Sequence, residues 1–116
     1  MLKFFKCKKC GKIVEIVNEG CPVIVCCGDE MAEMKANTTD GAAEKHVPVI
    51  EKDGENVKVK VGSAVHPMED VHYIQWITIE TDKGIQRKKL NPGENPEATF
   101  VLAGEKLVAA YEYCNL

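Results

Sequence analysis

Several common features are missing from this sequence, and each absence excludes a class of protein. The 116 residues contain no apolar run that approaches the ~20 residues needed to cross a bilayer as a helix. Positive charge is not in excess either, since the formal net charge is −3 and the isoelectric point is about 5.6. The chain therefore offers no electrostatic basis for binding nucleic acid or an anionic membrane.

Repeats, low-complexity tracts and an apolar export segment after the first methionine are also absent. The missing export segment predicts the reducing cytoplasm as the compartment, where cysteines bind metals more often than they form disulfides. The length predicts one ordinary domain, or a small domain joined to a metal-stabilised module.

The six cysteines include a pattern typical of a metal site. Cys7 and Cys10 have the C-x-x-C spacing at which two thiolates face one metal, and Gly11 lets backbone amides approach the sulfurs. The adjacent pair Cys26 and Cys27 completes a set of four thiolates, a donor set that selects iron or zinc without choosing between them. A disulfide framework is the weaker alternative, since neighbouring cysteines pair awkwardly.

A second candidate site consists of the three histidines of the chain, His46, His66 and His72, together with Cys114. Each histidine lies beside a proline, a charge or a strand start, as ligands on loops at one end of a β-scaffold do. Three imidazoles and a thiolate would bind a transition metal and leave a coordination position open. The spacing alone allows the simpler alternative of three surface histidines and a buried cysteine.

Together these motifs resemble the desulfoferrodoxin family, the two-iron form of superoxide reductase. The matching segments run in the family's order and cover nearly the whole chain: Phe5-Lys6-Cys7-Lys8-Lys9-Cys10-Gly11, Cys26-Cys27-Gly28, Glu44-Lys45-His46-Val47-Pro48, His66-Pro67-Met68 with His72-Tyr73-Ile74, and Tyr113-Cys114-Asn115.

The resemblance implies two iron ions per chain, with zinc possible by substitution. Cys7, Cys10, Cys26 and Cys27 would hold the first iron. His46, His66 and His72 would be equatorial ligands of the second, with Cys114 as its axial ligand.

The activity implied is one-electron reduction of superoxide to hydrogen peroxide. Lys45 would attract the anionic substrate, and Glu44 would occupy the open position once iron is oxidised; without the motif, both are an ordinary solvated charge pair. A rubredoxin-like protein would return the electron, and the four-cysteine iron would be a relay.

One departure from the family is expected to matter. Family members continue past the Cys-Asn pair with one residue and then a further histidine ligand, which these 116 residues do not include. The resemblance therefore predicts weak or partial metal at the second site of this chain. It leaves two rival functions open: an iron-binding electron carrier with an incomplete second site, or a zinc-binding structural module.

The predicted fold is all-β, with a desulforedoxin-like four-cysteine module over residues 1–35, a linker over 36–43, and an immunoglobulin-like β-sandwich over 44–116. Because the module has too few residues for a sufficient core, we expect it to need a metal and to form a homodimer. Leu2, Phe4, Phe5 and Val23–Val25 are expected to be its core, and Cys21 a spare thiol.

Short strands are predicted through the sandwich. Val47–Glu51 is a candidate strand, Asp53-Gly54 marks a hairpin turn, and Asn56–Val61 alternates valine with lysine. Val71–Glu80 is the strongest, with His72, Ile74, Trp76 and Thr78 expected on one face and Trp76 in the core or a pocket wall. Ile85–Leu90 is expected at a sheet edge. Ala98–Leu102 and Lys106–Tyr113 are expected to pair with each other through a turn at Ala103-Gly104-Glu105.

Overall fold

The computed structural model describes residues 2–34, 48–61 and 68–114, and it divides into two compact units, Met1–Ala36 and Asn37–Leu116. All regular structure in the described residues is β-strand, which confirms the predicted all-β class. A helix long and apolar enough to cross a membrane is not found in the described part of the chain.

In the described residues 2–34, the first unit contains five short strands: β1 Phe4–Lys6, β2 Ile13–Glu15, β3 Val25–Cys26, β4 Asp29–Glu30 and β5 Ala32–Glu33. They form an antiparallel sheet in the order β2-β1-β5 and a separate β3-β4 hairpin. Phe4, Cys7 and Met31 are its buried apolar side chains among the described residues. The prediction that Val23–Val25 form core is wrong, since Val23 is 51% and Val25 61% exposed.

The second unit is a sandwich of two antiparallel three-stranded sheets. Its strands are β6 Pro48–Asp53, β7 Asn56–Val61, β8 Ile74–Thr81, β9 Ile85–Lys89, β10 Glu97–Val101 and β11 Leu107–Cys114. The sheet orders are β10-β7-β6 and β11-β8-β9. The predicted hairpin turn at Asp53-Gly54 is confirmed, because β6 and β7 pair directly across it and Gly54 has a positive φ of 61°.

Alternation along the strands builds the sandwich core. Every second residue of β7 turns inward, so that Val57, Val59 and Val61 are buried. Phe100 of the first sheet and Ile77 of the second belong to the same buried cluster, which joins the two sheets. β9 is an edge strand, as predicted.

The predicted pairing of the last two strands is wrong. β10 pairs with β7 in one sheet, whereas β11 pairs with β8 in the other. Ala103 and Gly104 do form a turn, with positive φ values of 54° and 86°, but it carries the chain from one sheet to the other. Turn residues predict a reversal of the chain, and they do not specify which strand receives the next segment.

The predicted faces of β8 also need correction. Ile74 lies in the core with Ile77 and Ile79, although strict alternation would place it on the opposite face. The pairing of β8 with β11 is irregular here, because Trp76 faces Tyr113 while Ile74 faces Cys114, leaving Gln75 as an extra residue. Trp76 is half-buried on the outer face of the sheet instead of in the core.

Candidate metal centre

The first unit brings four sulfur atoms to one point. The Sγ atoms of Cys7, Cys10, Cys26 and Cys27 all lie within 4.8 Å of one another. Cys10 Sγ is 3.7 Å from Cys26 Sγ, which is 3.9 Å from Cys27 Sγ. A tetrahedral ion with metal–sulfur bonds of about 2.3 Å requires sulfur–sulfur edges of about 3.8 Å, so these residues fit such an ion.

Two backbone turns produce this arrangement. In the first, the N–H of Gly11 donates to the carbonyl of Cys7 at 2.9 Å, and the N–H of Cys7 donates to the carbonyl of Lys12 at 2.9 Å. In the second, Cys27 has a positive φ of 54°. Neighbouring residues of an extended strand point to opposite faces, so this left-handed residue is what turns the Cys27 side chain back beside that of Cys26.

The hydrogen bonds of the cluster concentrate negative charge on one sulfur. Backbone N–H groups of Cys10 and Lys9 donate to the Cys7 sulfur, and chiefly through Cys10 they lower the pKa of the Cys7 thiol to about 6. Hydrogen bonds with Cys7 and Cys10 raise the pKa of Cys26 to about 12, and a hydrogen bond with Cys10 raises that of Cys27. Since metals bind thiolates, loading this cluster releases the remaining protons.

Lys9 is a contributor that the motif analysis missed. Its Nζ atom donates to the carbonyl of Cys27 at 3.4 Å and forms a 3.2 Å ion pair with Asp29. The residue therefore links the C-x-x-C turn to the β3–β4 turn. Its position inside the motif gave no signal of this role, because the partner is a backbone carbonyl distant in sequence.

Two of the residues predicted for the second site lie at the same end of one sheet. Cys114 ends β11 and pairs with Ile74, the first residue of β8. His72 lies two residues before β8, in a tight turn closed by reciprocal backbone hydrogen bonds with Glu69 of 2.9 and 3.1 Å. His46, His66, Glu44 and Lys45 lie outside the described residues, so the ligand set and the catalytic pair remain predictions.

Two partly buried side chains, Met68 and Glu112, were not selected as site residues from the sequence. Met68 packs against the core cluster, as Cys114 does, and its Sδ accepts from the N–H of Ile74 at 3.4 Å. Glu112 pairs with Ile77, and its Oε2 is buried without a hydrogen-bond partner among the described residues. Burial raises the pKa of Glu112 to about 7. Alternation back from Cys114 would have placed Glu112 on the inner face.

Comparison with known proteins gives matches over both units. The family model for the desulfoferrodoxin N-terminal domain matches residues 1–34, and the desulfoferrodoxin model matches residues 38–116.

The relatives are similar over about nine tenths of their own length. A desulfoferrodoxin of Nitratidesulfovibrio vulgaris is 51% identical over 114 residues, which cover 98% of this chain and 90% of that protein. A desulfoferrodoxin homolog of Archaeoglobus fulgidus is 48% identical, and the match covers 100% of this chain and 92% of that homolog. The crystal structure of the superoxide reductase from Treponema pallidum superposes with a TM-score of 0.85 at 39% identity, covering 100% of this chain and 93% of that one.

Proposed function

This chain belongs to the desulfoferrodoxin family, and from that premise we propose that it is a superoxide reductase. The observation that carries the proposal is the likeness to a superoxide reductase structure over the entire chain, including both units. The four converging sulfurs support iron binding in the first unit. We propose that the reaction adds one electron and two protons to superoxide and releases hydrogen peroxide.

The second site would be held by His46, His66, His72 and Cys114. Iron bound by these residues would supply the electron, and the Cys114 thiolate would increase the electron density on the metal. His72 is positioned by its turn with Glu69, and Cys114 by its pairing with the start of β8. Lys45 would attract the superoxide anion by its charge, and Glu44 would fill the open position after oxidation.

The proposed partners are an electron donor and a second copy of the chain. A rubredoxin-like protein would return the electron, and the four-cysteine iron would be a relay. A homodimer would form through the first unit, which exposes Val17, Val23 and Val25 at 88%, 51% and 61%.

The activity is tested by mixing the prereduced protein with superoxide and measuring both products. A reductase gives one hydrogen peroxide for each superoxide and no dioxygen, whereas dismutation releases dioxygen. The assay uses the chain with iron bound at both sites. If the protein does not consume superoxide in that state, the proposed activity is wrong.

The role of Lys45 gives a sharper test. Lys45→Ala should slow the bimolecular reaction about tenfold at low ionic strength and flatten its salt dependence, because steering of an anion is screened by salt. Pulse radiolysis measures both quantities. Glu44→Ala is the matched control, since it should leave this first step nearly unchanged and alter only the oxidised resting state. Equal rates for Lys45→Ala and the unmodified chain at low salt would return Lys45 to an ordinary surface charge.

Colour and metal analysis distinguish the alternative of a zinc-binding structural module from an iron-containing reductase. Four-thiolate ferric iron absorbs visible light strongly through charge transfer from sulfur, whereas a zinc protein is colourless. A colourless purified protein with stoichiometric zinc at both sites would favour the structural module over the reductase.

A further inference from the structure

The outer face of the β11-β8-β9 sheet carries aromatic and cationic side chains in register. Tyr113 pairs with Trp76, which pairs with Lys89 on the next strand, and two residues away Thr78 pairs with Arg87. Because paired residues of antiparallel strands share a face, all of these lie on the side opposite the core. We call Trp76, Tyr113, Arg87 and Lys89 the aromatic face.

Contacts within the aromatic face hold it in one arrangement. The rings of Trp76 and Tyr113 stack with centroids 5.7 Å apart and planes 18° apart. The Arg87 guanidinium lies 5.3 Å from the Trp76 ring centroid, and its Nε donates to Thr78 Oγ1 at 2.8 Å. Thr78 is fully buried beneath these side chains. Arg87 is therefore fixed by two contacts while it remains exposed to solvent.

The charge of this face is opposite to that of the whole chain. β9 contributes Arg87 and Lys89 to this face and contains no acidic residue, although the chain has a net charge of −3. Lys88, between them, pairs with Ile77 and lies on the inner side of the sheet, over the Phe100 ring. Glu80, an acidic group on the same face, accepts a hydrogen bond from the Tyr111 hydroxyl at 3.2 Å. Tryptophan, tyrosine and arginine are the residues most enriched at the energetic centres of protein interfaces. The face thus matches an acidic protein surface.

The aromatic face also connects directly to the second site. Tyr113 directly precedes Cys114, the proposed axial ligand, in the sequence. Both residues lie at the end of β11, which pairs there with the start of β8. A donor bound against Trp76 and Tyr113 would be separated from Cys114 only by the two stacked rings and one peptide unit. Because electron transfer becomes slower with distance, this short path favours rapid transfer.

We propose that the aromatic face is where the electron donor docks, and that the donor is a small acidic one-electron carrier protein whose electron passes through Trp76 and Tyr113 to Cys114. The inference rests on the proposed function, because it assigns Cys114 to the second iron. One electron would leave the reduced carrier, which becomes oxidised, and would be taken up by the oxidised iron that Cys114 would help to hold. No bond forms or breaks, and no proton is needed from these side chains.

Binding is tested separately from activity with a redox-inactive probe. Zinc-substituted rubredoxin is acidic and cannot transfer an electron, so calorimetric titration of the full chain with it reports affinity alone. Reversing two charges, Arg87→Glu with Lys89→Glu, should weaken binding at least about tenfold at low ionic strength and reduce its salt dependence. Lys52→Glu with Lys106→Glu changes the net charge equally, and both of these lysines are exposed outside the aromatic face.

The path is tested with reduced iron rubredoxin in a stopped-flow experiment. Tyr113→Leu removes the stacked ring and should slow electron transfer at saturating donor, whereas Tyr113→Phe keeps the ring and should restore the rate. The reaction of the prereduced chain with superoxide is measured for both variants in parallel, so that a slower re-reduction by the donor is separated from damage to the site held by Cys114.

Three outcomes decide the inference. Equal loss of affinity in the two charge-reversed pairs, or no loss in either, would overturn the docking site. Equal electron-transfer rates for Tyr113→Leu and Tyr113→Phe would overturn the path. If the prereduced chain fails to reduce superoxide, the proposed function is wrong, and the calorimetric comparison still decides whether an acidic carrier binds this face.

Discussion

At the scale of single residues, the four-sulfur cluster depends on the unusual backbone of Cys27. A non-glycine residue with φ of 54° is disfavoured, and here it is followed by Gly28 at 81°. The pair of left-handed residues brings two adjacent thiols to one side, which an ordinary strand cannot do. Metal coordination by both sulfurs would offset the cost of this conformation.

The first prediction compares two exposed cysteines. Cys10 belongs to the cluster, whereas Cys21 is exposed and outside it. Cys10→Ser should lose most of the metal at the four-cysteine site, together with the visible charge-transfer band, because a hydroxyl is a poor substitute for a soft thiolate. Cys21→Ser is the control and should retain both.

Metal content per chain and the absorption spectrum measure this result. Equal metal loss in both variants would show that Cys21 participates, and undiminished metal in Cys10→Ser would show that three sulfurs suffice.

At the scale of strands, the sandwich depends on a few inward side chains that join its sheets. Phe100 of β10 is 1% exposed and faces Val57, which is fully buried. The next residue along β10, Val101, points outward and is 55% exposed. The two positions thus separate the effect of core packing from that of strand propensity.

Phe100→Ala should therefore lower the free energy of unfolding by about 3–5 kcal/mol, because it removes a buried ring and leaves a cavity. Val101→Ala in the same strand should change it by less than about 0.5 kcal/mol, as exposed positions usually do. Chemical denaturation, followed by a signal from the second unit, measures the change in the free energy of unfolding for both variants. A cost below about 1 kcal/mol for Phe100→Ala would mean that the sheets repack around the lost ring.

Sequence patterns predicted much of this architecture, and the failures have a common cause. Alternating valines located β7, and turn residues located the β6–β7 hairpin. Those signals are local. The partner of β10, the extra residue in β8 and the outward position of Trp76 depend on how distant segments pack, and no local signal contains that information.

The same distinction applies to the candidate sites. The spacing of the four cysteines predicted one cluster, and the structure brings their sulfurs together. The contact of Lys9 with the carbonyl of Cys27 and the inward position of Glu112 were not predicted, because each depends on tertiary register.

At the scale of the whole molecule, the two units differ in how much buried core is available to stabilise each of them. Among the described residues, the second unit has a continuous core of ten buried side chains, whereas the first buries only the apolar side chains of Phe4, Cys7 and Met31. A module of that size needs a metal, a partner or both. Its exposed valines favour a partner of the same kind.

The whole-molecule prediction is thus a homodimer that a charge on the first unit disrupts. Val23→Glu should shift the protein toward monomer, because it places a carboxylate in an apolar contact. Val108→Glu is the matched control, since Val108 is 60% exposed on the second unit and Val23 is 51% exposed. Light scattering at micromolar concentration measures the mass. An unmodified chain that scatters only as a 12.8 kDa species would contradict the prediction.

The β10 edge of the β10-β7-β6 sheet affects whether the protein aggregates at high concentration. β10 is an edge strand, and two of its carbonyl groups accept side-chain donors from β9: Gln86 Nε2 donates to Val101 at 2.8 Å, and Lys88 Nζ donates to Thr99. A free strand edge is a template on which another chain can add a strand and begin to aggregate. With these acceptors already occupied, β10 gives an incoming strand little to bind, which protects this edge of the β10-β7-β6 sheet from strand addition.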